Sequence, residues 1–266
     1  MSATLGIIGG GVMGEALLSR ILDQQLYLPQ AVLVSEPQAQ RQAVLSDRYR
    51  IQVTDQNQAV LDFADTVLLA IKPQVFNPVV ATLTPRRADQ LIISILAGVT
   101  LPQLESAFPN QPIVRAMPNT PATVGAGMTA IAPNPHTTPD HLQIAHQLFT
   151  AVGEVVEVPE HLMDAVTGLS GSGPGYIAVM VEALIDGGVA VGLPRAIATQ
   201  LAIQTLRGTA ELLHTSGLHP AQLKDQVTSP GGTTIAGIAH LEKMGVRSAL
   251  MEAVRAAYGR SKELGQ

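Results

Sequence analysis

The chain has no cysteine and no tryptophan among its 266 residues. Without cysteine there can be no disulfide, thiolate metal site or cysteine nucleophile. A chain of this kind suits a reducing compartment, and the cytoplasm is the expected location. Aromatic residues make up only 3%, which argues against a stacking platform for nucleic-acid bases. The core must instead come from Ala, Val, Leu and Ile. The formal net charge is −5 and no run of Lys or Arg occurs, so nothing draws a nucleic acid. No apolar stretch reaches roughly 18 residues without a Gly, Pro or charge, which argues against a membrane span. The opening "MSATLGIIGGG" lacks the basic and apolar regions of a signal peptide. No His–carboxylate pair or metal-binding triad is visible, and most histidines fall in polar or turn contexts such as "NPHTTPDHLQIAH".

What is present is apolar residue, at 46%, enough for one large domain or two modest ones. Up to about residue 155, short apolar runs alternate with longer mixed ones: "TLGIIG", "AVLVS", "DTVLLAI", "QLIISIL", "PIVRAM" and "MTAIAP". Continuous apolar strands separated by helical segments predict a mostly parallel sheet covered on both faces. In "GEALLSRILDQQ", Ala16, Leu17, Leu18, Ile21 and Leu22 form one helical stripe. The first half therefore reads as an α/β, doubly wound domain over 1–160.

Gly9-Gly10-Gly11-Val12-Met13-Gly14 matches G-x-G-x-x-G between a strand and a helix, with Glu36 about 20 residues further on, at the end of the next strand. This is the context of a Rossmann-type dinucleotide site. Gly9 makes the tight turn, Gly11 lets a pyrophosphate approach the backbone, and Gly14 allows close helix–strand packing. The helix start offers N–H groups to the phosphates. Glu36 can accept hydrogen bonds from ribose hydroxyls of NADH and repels a 2′-phosphate; the alternative is a solvated surface carboxylate. Ser35 can bond either group, with Arg41 a turn or so beyond, so NADPH is not excluded.

Three loops fall at strand C-terminal ends, where open α/β sheets bind ligands. They are "AIKPQ" (Ala70, Lys72, Pro73), "LAGVT" (Ala97, Gly98) and "RAMPNTP". In the last, Pro118 and Pro121 stiffen the turn and Asn119 offers an amide donor and acceptor to a nicotinamide. Ordinary turn chemistry is the alternative for each.

From about residue 160 the strand signals stop. "HLMDAVTGLSGSGPGY" reads as a short helix and a glycine-serine break. Then "GYIAVMVEALIDGGVAVGLP" is a helix apolar on most faces, through Ile177, Val179, Met180, Val181, Leu184 and Ile185. About 105 residues cannot surround several such helices, so a partner subunit is expected to cover them. Residues 161–266 read as an all-helical dimerisation and substrate-binding domain. Within it, "SPGGTT" precedes a helix starting near Gly231–Thr233. Free N–H groups of Gly231, Gly232, Thr233 and Thr234, with the hydroxyls of Ser229, Thr233 and Thr234, suit an anion. With no basic residue in the stretch, one carboxylate fits better than a phosphate. Capping by Ser229 or Thr233 is the plainer reading.

"GIIGGGVMGEAL", "LAIKPQ", "AGV", "VRAMPNTP", "GLSGSGPGYI", "DGGVAVGLPR", "QTLRGTAELL" and "VTSPGGTTIAGIAHLE" occur in this order. Together they resemble the Δ1-pyrroline-5-carboxylate reductases, over nearly the whole chain. The final motif is highly specific; the glycine loop alone is not. The resemblance implies reduction of a cyclic imine to L-proline, the last step of proline biosynthesis, with NADPH or NADH on the first domain. It implies a helical second domain interlocked with a second subunit, in a homodimer or larger homo-oligomer. By the same resemblance Ser229, Gly231, Gly232, Thr233 and Thr234 receive the substrate carboxylate. Asn57 lies near the adenosine ribose, and Lys72, Pro73, Ala97, Gly98, Pro118 and Asn119 surround the nicotinamide. Val12 departs from the polar residue of many relatives, and Glu36 from the small residue of some NADPH-preferring ones.

An iminium is already electrophilic, so hydride transfer needs orientation more than acid–base machinery. Thr234 and Ser229 are accordingly expected to orient the substrate, with no clear general acid. Two other readings share parts of the pattern. A hydroxyacid dehydrogenase needs a Lys or His acid where this chain has "GSGPGY". A non-catalytic NAD(P) sensor would have no use for "SPGGTT".

Overall fold

The computed structural model describes residues 4–85, 87 and 89–265. Its contacts define two compact units: one runs to Ser172 and takes back the chain from Ala257 onward, and the other is Gly173–Ala256.

The first unit begins β1 (Leu5–Ile8), α1 (Val12–Asp23), β2 (Val32–Ser35), α2 (Ala39–Tyr49), β3 (Gln52–Thr54) and α3 (Asn57–Phe63). It continues β4 (Thr66–Leu69), α4 (Phe76–Val80), β5 (Leu91–Ser94), α5 (Leu101–Ala107), β6 (Ile113–Met117), β7 (Gly127–Pro133), α6 (Pro139–Thr150), β8 (Gly153–Glu157) and α7 (Met163–Val166). The sheet order is β3-β2-β1-β4-β5-β6-β7-β8. Among the described residues only the β6–β7 pair is antiparallel. The order reverses at β1, between β2 and β4, which is the switch point where doubly wound sheets bind ligands.

Strands β1, β2, β4 and β5 are buried at every position, because successive side chains enter opposite cores. Ile7, Val34, Leu68 and Ile93 pack with Leu17, Leu18 and Ile21 of α1, Leu45 of α2 and Phe149 of α6. Ile8, Val67, Leu69 and Ile92 pack on the other side with Val60 and Leu61 of α3 and Leu104 of α5. Two strands escape an apolar-run reading. β3 and β8 lie at the sheet edges and are mostly half-buried or exposed.

The expected glycine-serine break is narrower than the sequence reads. Residues Thr167–Gly171 form a π-helical turn, closed by Ser172 N–H on the Thr167 carbonyl at 2.9 Å. The hydroxyls of Thr167 and Ser170 bond back to the Met163 and Val166 carbonyls. These bonds carry the chain nearly directly into α8 (Gly173–Ala190).

The second unit holds α8, α9 (Arg195–Ser216), α10 (Pro220–Gln226), α11 (Thr233–Lys243) and most of α12 (Val246–Leu264). Among its described residues only Ala198 and Leu223 are buried. α8 buries none, and Val179 and Leu184 stand 66% and 59% exposed. The apolar faces expected for α8 and α9 are thus present and uncovered within one chain. No helix among the described residues is long and apolar enough to cross a membrane.

Candidate functional site

The glycine loop at the switch point divides its glycines by role. Gly9 has φ +108, and a β-carbon there would stand 2.7 Å from the Ala70 carbonyl oxygen. A β-carbon on Gly14 would run into the Gly9 carbonyl oxygen. Gly11 differs: a β-carbon there meets nothing within 4 Å. Gly11 is also the N-cap of α1, without a side-chain cap, so the leading N–H groups of the helix stay available. The loop therefore offers an open face lined by backbone donors, which fits a dinucleotide pyrophosphate.

Gly10, between them, is held by two charged side chains. Its N–H donates to Glu36 Oε2 at 3.1 Å, and its carbonyl accepts from Arg41 Nε at 2.8 Å. Glu36 is only 8% exposed, and its other oxygen accepts from the Gln38 N–H at 3.1 Å. It is not a solvated surface carboxylate. Arg41 is also paired with Glu15, which accepts further bonds from Arg48 and Tyr49. Burial raises the Glu15 pKa, but the Arg41 and Tyr49 hydrogen bonds and the charges of Arg41 and Arg48 outweigh it, so the carboxyl titrates below its ordinary value. Beside this cluster Ser35 donates to Asn57, bringing Ser35, Glu36 and Asn57 to the ends of β2 and α3.

A cleft of about 470 Å³ continues from the loop. It gathers Gly11, Val12 and Met13 at the start of α1, Ala70, Lys72 and Pro73 after β4, Ala97 after β5, and Pro118 and Asn119 after β6. Nine of the residues singled out from the sequence thus line one space. Gly98 does not. It sits at φ +79 against the backbone of Leu264, lining a neighbouring cleft of about 480 Å³ that shares Pro73 and Ala97. The Asn119 amide is partly engaged: Nδ2 donates to the Ser170 carbonyl at 3.1 Å, and Oδ1 accepts from the Met128 N–H at 2.9 Å. It fixes its loop to the π-helical turn and keeps one N–H for a ligand.

Sequence reasoning missed Ile71, Ile95, Leu96, Met117, Thr120 and Gly171 in the cleft lining. All but Gly171 belong to strands or loops already marked, so their neighbours were the signal. Gly171 comes from the glycine-serine motif, where a β-carbon would stand 2.7 Å from the Met117 methyl. Lys72 is the one titratable side chain among the described lining residues. The cleft can orient a planar ring; it holds no acid–base pair. Asp164 accepts from the buried Ser261 hydroxyl at 2.7 Å.

The turn at 229–234 lies in the other unit. Gly231 is left-handed at φ +68. Gly232 is the N-cap of α11, with no side-chain cap. A β-carbon on Gly232 would collide with Ser229 Oγ, so that glycine keeps the serine hydroxyl close over the helix start. The plainer reading, capping by Ser229 or Thr233, does not hold. Helix α11 begins at Thr233, and its first N–H groups have no partner within the helix.

A family model described as pyrroline-5-carboxylate reductase dimerisation matches residues 160–264, and one described as NADP oxidoreductase coenzyme F420-dependent matches residues 4–98. The chain is 59% identical over 266 residues to a pyrroline-5-carboxylate reductase of Synechocystis, covering 100% of both chains. It is 43% identical to the enzyme of that name from Methanosarcina acetivorans, covering 98% of both. Among solved structures it is similar to a Plasmodium falciparum pyrroline carboxylate reductase with NADP bound. There the TM-score is 0.91 at 31% identity, covering 100% of this chain and 99% of that one.

Proposed function

The chain belongs to the pyrroline-5-carboxylate reductases, and on that premise we propose how its residues divide the reduction of 1-pyrroline-5-carboxylate to L-proline with NAD(P)H. The α1 start at Gly11, Val12 and Met13 holds the pyrophosphate, with Gly9 and Gly14 keeping the turn tight. Ser35, Glu36 and Asn57 lie at the adenosine ribose. Ala70, Lys72, Pro73, Ala97, Pro118 and Asn119 enclose the nicotinamide, and Gly98 supports that loop from behind. When bound, the cofactor supplies a hydride to the imine carbon. The turn Ser229–Thr234 receives the substrate carboxylate, Gly231, Thr233 and Thr234 offering N–H groups and Ser229, Thr233 and Thr234 hydroxyls; the Gly232 N–H, expected to be free, instead donates to the Ser229 carbonyl at 3.1 Å.

The observation that carries the substrate half is the α11 start: an uncapped helix N-terminus carrying hydroxyls, with no lysine or arginine in the stretch. Such a site orients one carboxylate and leaves the ring free. Residues 161–266 form the dimerisation and substrate region of the proposal. The exposed apolar faces of α8 and α9 favour a homodimer as the working unit. The absence of cysteine suits a cytoplasmic enzyme.

Mixing purified protein with pyrroline-5-carboxylate and NADH or NADPH tests the reading. Oxidation of the cofactor with formation of proline supports it; binding of either cofactor without turnover of the imine points instead to a nucleotide sensor. Light scattering on the same preparation checks the dimer, and a monomer at working concentration overturns that part.

A further inference from the structure

We propose that Arg41 is a positioning residue of the phosphate-binding loop, acting through Gly10, and that it is not a ligand for an adenosine 2′-phosphate. The proposal rests on the reading that this loop holds the dinucleotide.

Each peptide unit is planar and trans, so a carbonyl and the N–H of the following residue point in opposite directions. The Gly10 carbonyl and the Gly11 N–H belong to one such unit. Arg41 Nε holds that carbonyl at 2.8 Å. It thereby turns the Gly11 N–H the other way. The preceding unit ends in the Gly10 N–H, which Glu36 holds at 3.1 Å. Two successive peptide planes are thus set by two oppositely charged side chains. Glycines need such a restraint more than other residues, since their backbone is the most permissive.

The same geometry removes Arg41 from other duties. Its Nη2 is paired with Glu15, and Arg48 also bonds Glu15. Tyr49 donates to that carboxylate too, and Glu36 adds a second negative charge beside Gly10. A 2′-phosphate at the end of β2 therefore meets a carboxylate and a guanidinium already neutralised.

Affinities of ADP, NADH and NADPH, measured by calorimetry on wild type, Arg41→Met and Arg41→Lys, test the proposal. Loss of a charged hydrogen bond should weaken ADP, NADH and NADPH alike by roughly ten-fold. Lysine should weaken them as methionine does, because it keeps the charge but lacks the fixed Nε donor. Selective loss of NADPH in Arg41→Met, or its retention in Arg41→Lys, would make Arg41 a phosphate ligand and overturn the proposal. So would unchanged affinity in both variants. Wild type that binds neither dinucleotide defeats the functional reading instead. Arg41→Gln serves if both of these variants unfold. It keeps a side-chain N–H donor without the charge, so the ratio of NADPH to NADH affinity should stay within about two-fold of wild type; a selective loss of NADPH affinity overturns the proposal.

Discussion

Ser35 Oγ donates a 2.7 Å hydrogen bond to Asn57 Oδ1, tying the end of β2 to the first residue of α3. The two groups fix each other's orientation beside Glu36, where the functional reading places a ribose. Asn57→Ala should raise the KM of the cofactor about five-fold, near the net worth of one hydrogen bond. The KM of pyrroline-5-carboxylate should not move. Steady-state kinetics with each substrate varied in turn checks this, and equal effects on both would remove Asn57 from the ribose site.

Gly11 and Gly14 should respond oppositely to the same change. Alanine at Gly14 places a methyl against the Gly9 carbonyl oxygen, a backbone atom that cannot yield. It should cost about 3 kcal/mol of stability, the upper end of overpacking effects. Alanine at Gly11 enters open space and should leave the melting temperature unchanged while weakening the cofactor, because it fills the face offered to the pyrophosphate. Thermal melts with and without NADPH separate the two outcomes.

The sheet and the glycine loop were legible because each rests on a local constraint. Fully buried parallel strands must be apolar on both faces, and a strand–turn–helix around a pyrophosphate needs glycine at fixed spacing. The edge strands β3 and β8 carry no such run, since sequences such as "QVT" and "GEVVE" bury little. The engagement of Glu36 and Asn119 was also hidden. Their residue types were right for a site, but which oxygen meets which N–H depends on partners 26 and 51 positions away. Gly98 shows the same limit: its loop was readable, its contact with Leu264 was not. At the α11 start the sequence left capping open, and the backbone decided against it by making Gly232 the cap residue.

Thr234 should separate binding from folding. It lies in the first turn of α11, whose cap is Gly232 and carries no side-chain cap bond, so Thr234→Ala should shift the melting temperature by less than about 2 °C. The KM of pyrroline-5-carboxylate should rise roughly ten-fold, the worth of one charge-assisted hydrogen bond. Thr234→Ser should restore most of it. A comparable rise in the cofactor KM would remove the carboxylate assignment.

Glu160 holds a buried cation. Arg115 on β6 has a side chain only 5% exposed and pairs with Glu160 Oε1 at 2.7 Å. The same oxygen accepts the Leu101 N–H at 3.2 Å, just beyond the Ala97–Gly98 loop. Glu160→Ala strands the guanidinium and should cost about 3 kcal/mol. Glu160→Gln, which keeps an acceptor, should cost clearly less. Urea denaturation of the two variants decides, and equal costs would mean the charge does not matter.

The Glu15 cluster should make stability acid-sensitive. The Glu15 carboxyl titrates below its ordinary value: burial opposes ionisation, but the Arg41 and Tyr49 hydrogen bonds and the two guanidinium charges prevail. A folded pKa below the unfolded one means the unfolded chain binds the proton more readily. The contribution is therefore complete above the unfolded value, about 4.3, and is lost as pH falls through the folded one. Glu15→Gln cannot titrate. The stability gap between wild type and variant should be constant above about pH 6 and should shrink below about pH 4. Urea midpoints at stepped pH measure it, and a gap that widens on acidification would show that the arginines do not hold Glu15 ionised.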